Sequence, residues 1–139
     1  MVHALREAHR VLKPNGLLFD LRPGLKHRRV GLLRGGRWHP VGTMREKFDD
    51  DRAANVEVAR ILREGLFRRE RQILLYLTRY LDTLKEFHAW VDEYTKLGPH
   101  DWLIERLECE LERSSAKVKI VVRGPLMMKV MRKVTKSSA

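Results

Sequence analysis

The chain has 139 residues, 43% hydrophobic and 34% charged, with a formal net charge of +11. That size supports one domain with a real core, and that composition excludes a disordered chain. The single cysteine, Cys109, excludes intrachain disulfides and cysteine-built metal sites, while no apolar run approaches the roughly 20 residues of a membrane span.

"MVHALREAHR" is charged throughout and has no apolar signal core, which predicts a cytoplasmic setting. Residues 2–13 read as an amphipathic helix, with Val2, Leu5, Ala8, Val11 and Leu12 on one face. Pro14-Asn15-Gly16 stops it, because proline removes a ladder donor and Asn-Gly tolerates positive φ. "LLFDLR" (17–22) then reads as a strand buried on both faces, closed by Pro23-Gly24. Two short apolar segments surround Arg34-Gly35-Gly36-Arg37, a hairpin signal.

"FDDDRAANVEVARILREGLF" (48–67) predicts a helix that Gly65 ends, with Val56, Ala59, Ile61 and Leu62 on its apolar face and an acidic first turn that suits the helix dipole. Residues 71–81 alternate as a strand. Thr83 or Asp82 with Glu86 makes a capping pattern for a helix bearing Leu84, Phe87, Trp90, Val91 and Tyr94. Asp101 is placed to cap a further helix with Leu103, Leu107 and Leu111 on one side. Residues 117–134 read as two strands joined at Gly124-Pro125. We read 1–134 as a single domain and 135–139 as a frayed tail, with no internal repeat.

The order helix, short turn, apolar strand carries a family likeness. "LREAHRVLKPNGLLFDLRP" resembles the passage from the fourth helix to the fifth strand in class I S-adenosylmethionine-dependent methyltransferases of the type 11 kind. The stretches "MREKFDDDRAANVEVARILREGLF" and "LDTLKEFHAWVDEY" are similar to a substrate-side insertion, and "KVKIVVRGPLMMKVMRK" to the closing antiparallel strands. The resemblance implies an α/β fold: the rear of a Rossmann-like methyltransferase sheet (equivalents of strands 5, 6 and 7) with an inserted hairpin and helix.

In that family the cofactor is held by a glycine-rich turn after the first strand and an acidic residue after the second. Neither is found in these residues. The resemblance thus implies a methyltransferase-like protein or fragment that by itself neither binds the donor nor transfers methyl groups. S-adenosylmethionine enters only if the missing half is supplied. Such a rear portion leaves the edge of strand 17–22 or a face of helix 2–13 open, which predicts a homodimer or association with a separate N-terminal half.

The charge is uneven: residues 1–48 hold 11 Lys/Arg against 3 Asp/Glu, residues 49–113 hold 11 against 15, and residues 114–139 hold 7 against none. Basic ends suit an anionic partner, and the alternative function is a basic module for nucleic acid or another polyanion. Nucleic acid is not the favoured partner, because only Trp38 lies among the N-terminal charges and the C-terminal strands carry no aromatic residue. No membrane partner is expected. Arg22, Lys26, His27, Arg28, Arg29, Arg34, Arg37 and His39 form the densest basic stretch, and Arg22, His27, Arg28, Arg29, Arg37, Trp38 and His39 make a candidate anion or substrate rim. The plainer reading pairs these arginines with Asp49, Asp50 and Asp51 and uses Trp38 to plug the hairpin base. No His spacing suggests a metal, and no catalytic residue is identified.

Overall fold

The computed structural model describes residues 1–135, so most of the expected tail, residues 136–139, lies outside the described residues. In chain order the elements are α1 (Val2–Val11), β1 (Leu17–Pro23), β2 (Arg29–Arg34), β3 (Arg37–Thr43), α2 (Asp49–Arg63), β4 (Phe67–Leu81), α3 (Leu84–Tyr94), α4 (Asp101–Glu112) and β5 (Lys119–Lys133). Among the described residues the class is mixed α/β, with four helices and a five-stranded antiparallel sheet in the order β1-β5-β2-β3, β4 also pairing with β5. The residues fall into two compact units. The first holds Met1–Leu25, Phe48–Leu75 and the chain from Leu126; the second holds Lys26–Lys47 and Tyr76–Pro125.

In the first unit, α1 ends at Val11 and the chain turns through Asn15, whose φ of 62° is the left-handed conformation that the Asn-Gly pair tolerates. β1 then runs antiparallel to the end of β5, from Leu17 opposite Arg132 to Pro23 opposite Leu126. Side chains alternate across a strand, so Leu18 and Met131 share one face. There they join Leu5, Val58, Ile61 and Phe67 in a core built from both helices. The other face carries Leu17, Phe19 and Leu21, exposed by 37%, 59% and 53%. The expectation of a strand buried on both faces is therefore corrected, because α1 and α2 cover only the Leu18 side.

In the second unit, Gly35 and Gly36 take φ of 52° and 74°, as a two-residue hairpin turn requires. They join β2 to β3, with Arg34 opposite Arg37. β2 also pairs with β5, from Arg29 opposite Arg123 to Leu33 opposite Lys119. Val30, Leu32, Ile120 and Val122 face the helices and pack with Phe87, Trp90, Leu103 and Leu107. The stripe read on α3 is thus a core stripe, although Tyr94 at its end is 53% exposed.

Local signals hold where the structure is local. Thr83 Oγ1 accepts a hydrogen bond from the Glu86 N–H at 3.1 Å, and Glu86 Oε2 accepts from the Asp82 N–H at 2.7 Å. Losing that cap should cost about 1 kcal/mol; Thr83→Ala measured by urea unfolding checks it. Two other readings are corrected. Asp101 is the first residue of α4, and His100 precedes it without a side-chain cap bond. The stretch 117–134 contains one strand and no turn at Gly124-Pro125. β2 pairs with residues 119–123 and β1 with residues 126–132, so Gly124 and Pro125 fall between the two registers, where no N–H is needed from proline.

Candidate functional site

The seven rim residues are shared between the two units and have different surroundings. Arg22, in the first unit, reaches across two residues to Asp20, its Nη2 2.7 Å from Oδ2, with both side chains about 14% and 13% exposed. Arg28 is fully engaged in the second unit: its guanidinium pairs with Glu46 at 2.6 Å and lies 5.3 Å from the Trp90 ring centre. Arg34 likewise bonds the side chain and the backbone carbonyl of Glu110, each at 2.8 Å. The partners of Arg22, Arg28 and Arg34 are thus Asp20, Glu46 and Glu110. His27 is exposed and engaged, Arg37 sits exposed at the hairpin turn, and His39 is exposed opposite Leu32.

Arg29 and Trp38 stand apart from these. Register places Arg29 directly opposite Arg123, on the sheet face away from the core. Trp38 lies on that same face, its ring over Gly31; a Cβ at Gly31 would lie 2.7 Å from the ring and against the His39 carbonyl oxygen. The Arg123 guanidinium sits 6.0 Å from the Trp38 ring centre and 5.0 Å from that of Tyr76, within range of cation–π attraction. Tyr76 and Tyr80 lie four residues apart on β4 and are 51% and 57% exposed. Strand alternation puts the two on one face. Sequence reasoning found Arg29 and Trp38 and missed Arg123, Tyr76 and Tyr80. Three separated stretches are brought together only by strand pairing.

Two other charged groups lie in the first unit. Lys129, opposite Asp20, donates toward Asn55 of α2 at 3.4 Å. Burial holds its ammonium below the ordinary range, and Arg22 beside it adds to this. At the strand ends, Glu70 accepts from Arg132 and Arg68. Arg132 also bonds the Asn15 carbonyl at 2.8 Å, and Lys133 Nζ bonds the Leu12 carbonyl at 2.7 Å. A shallow hollow of about 150 Å³ lies over Asn15, Arg68, Arg132, Lys133, Val134 and Thr135. Its cations are spent on Glu70 and on carbonyls of the α1–β1 connection, so it reads as a structural clasp.

The hydrogen bond from Arg132 is the main cause that lowers the Glu70 carboxyl from 4.5 to about 2. A depressed folded value means a stabilising contribution that is complete above about 4.5 and fades as pH falls toward about 2. Carboxyl NMR titration should show Glu70 ionised through that interval, and Arg132→Gln should return it toward 4.5.

Among the described residues no group of three His, Cys, Asp or Glu could hold a metal ion, and no helix is long and apolar enough to cross a membrane. Cys109 is exposed on α4. The described residues also do not fit the grip that a sulfonium cofactor needs. The chain passes from strand to helix twice, through residues 44–48 and 82–83, and neither passage contains glycine. Comparison with family models, curated proteins and solved structures finds no match.

Proposed function

We propose that this chain is the rear portion of a methyltransferase-like, Rossmann-related sheet that neither binds S-adenosylmethionine nor transfers methyl groups alone. β1 serves as the seat for a second polypeptide. That polypeptide is either another copy, giving a two-fold dimer, or a separate half that brings the donor cradle. The observation that carries this is β1 itself. It pairs only with β5 among the described residues, so its other edge keeps unpaired N–H and C=O groups. Beside that edge Leu17, Phe19 and Leu21 make an apolar row open to solvent. The order helix, Asn-Gly turn, strand, with a closing antiparallel strand next to it, is the arrangement that the resemblance implies.

The test is solution mass and calorimetry. At tens of micromolar the chain should scatter light as a dimer, and Phe19→Lys should return it to a monomer with unchanged circular dichroism. S-adenosylmethionine should give no heat with the chain alone and should give heat once a polypeptide carrying the cradle is added. Heat from the chain alone contradicts the reading, as does a clean monomer that no second polypeptide engages.

A further inference from the structure

We propose that the open face of β2, β3, β4 and β5 in the second unit binds single-stranded nucleic acid. Adjacent backbone phosphates would pair one with Arg29 and one with Arg123, and bases would stack on Tyr76 and Tyr80. This face is formed within the second unit and does not depend on what pairs with β1.

The argument starts from an electrostatic conflict. Directly opposed residues of an antiparallel pair hold their Cβ atoms roughly 5 Å apart, and like charges there repel. Arg29 and Arg123 are such a pair, and no carboxylate bonds either one among the described residues. The acids of this unit are elsewhere. Glu46 is spent on Arg28, Glu110 on Arg34, and Asp82 on Lys119 at 2.7 Å. Most of the others ride on α3 and α4, which cover the opposite, core face of the strands. A polyanion is therefore repelled from the helix layer and drawn to the strand face.

The same face supplies what a single strand needs besides charge. Tyr76 and Tyr80 present rings that are more than half exposed, spaced roughly 13 Å along an extended strand. Trp38 and Tyr76 both lie within cation–π range of the Arg123 guanidinium, whose N–H groups can also donate to phosphate. Basic groups interleaved with exposed aromatic rings make a stacking platform that tolerates sequence and depends on salt. A lipid surface also takes up interfacial tyrosine and tryptophan rings, so vesicles enter the test as a competitor.

The experiment is fluorescence anisotropy of a labelled 12-nucleotide oligo-dT with the full chain. Two phosphate contacts should make binding about 7-fold weaker at 200 mM than at 50 mM salt. Arg29→Gln should weaken binding and lower the salt slope by about 0.7. Tyr76→Leu should weaken it by about 5-fold or more with the slope unchanged. Arg29 and Tyr76 are exposed, so both variants should keep the parent circular dichroism even if Arg123→Gln does not fold. Any of three results overturns the proposal: no binding at 50 mM salt, equal binding by the parent and both exposed variants, or equal affinity for a 12-base-pair duplex. Equal competition by phosphatidylserine vesicles overturns it too, by assigning the face to membranes.

Discussion

Replacing Phe87 by alanine should lower the free energy of unfolding by about 3–5 kcal/mol, read from urea curves followed by far-UV circular dichroism. Phe87 is completely buried and belongs to the core cluster of the second unit with Trp90, Leu103, Leu107, Val30 and Ile120. Its ring centre is 6.0 Å from that of Trp90 on the same helix. Truncation removes the transfer free energy of the ring and leaves a hole that strands on one side and helices on the other can only partly close. Domains of this kind are stable by about 5–15 kcal/mol, so the loss is a large share of the total. Phe87→Leu should lose clearly less, because most of the volume is kept.

Gly31→Ala should cost about 1–3 kcal/mol or more, although it adds only a methyl group. The added Cβ would meet the His39 carbonyl oxygen, which is backbone of the paired strand, and Trp38 ring carbons at 2.7 and 2.8 Å. The strand pairing that defines the hairpin holds the carbonyl, so backbone as well as the ring must shift to admit the methyl group. The Trp38 indole resonance should shift in NMR spectra. Gly35→Ala is the control: nothing lies within 4 Å of a Cβ there, and its φ of 52° leaves only a backbone cost of roughly 1 kcal/mol. If Gly31→Ala is no worse than Gly35→Ala, Trp38 does not pack on Gly31.

Local features were legible in the sequence because their causes lie within a few residues. Thr83 and Glu86 cap α3 because three positions separate them, and Gly35-Gly36 turns the chain because both residues need positive φ. The apolar stripe of α3 was legible for the same reason. Pairing across distance was not. Gly124-Pro125 read as a turn because those residues usually make one, whereas here they mark a change of neighbour along β5. Nothing in 117–134 could reveal that β1 and β2 would be aligned with its two halves. The same holds for the candidate site. Arg28 and Arg29 are adjacent and indistinguishable in sequence, yet strand alternation sends them to opposite faces. One is neutralised by Glu46 under Trp90 and the other is left opposite a second arginine. Tyr76 and Arg123 lie 38 and 85 residues beyond Trp38 in the chain and could not be joined to it without the register.

The lone exposed thiol at Cys109 has a practical use. It lies on α4, which lines the core side of the second unit's strands, while Arg29 and Arg123 project from the other side. A maleimide dye would therefore react at one place in the chain without obstructing that face. Energy transfer to an acceptor on an oligonucleotide would then report the approach of the ligand by distance alone, without mutating the residues under test.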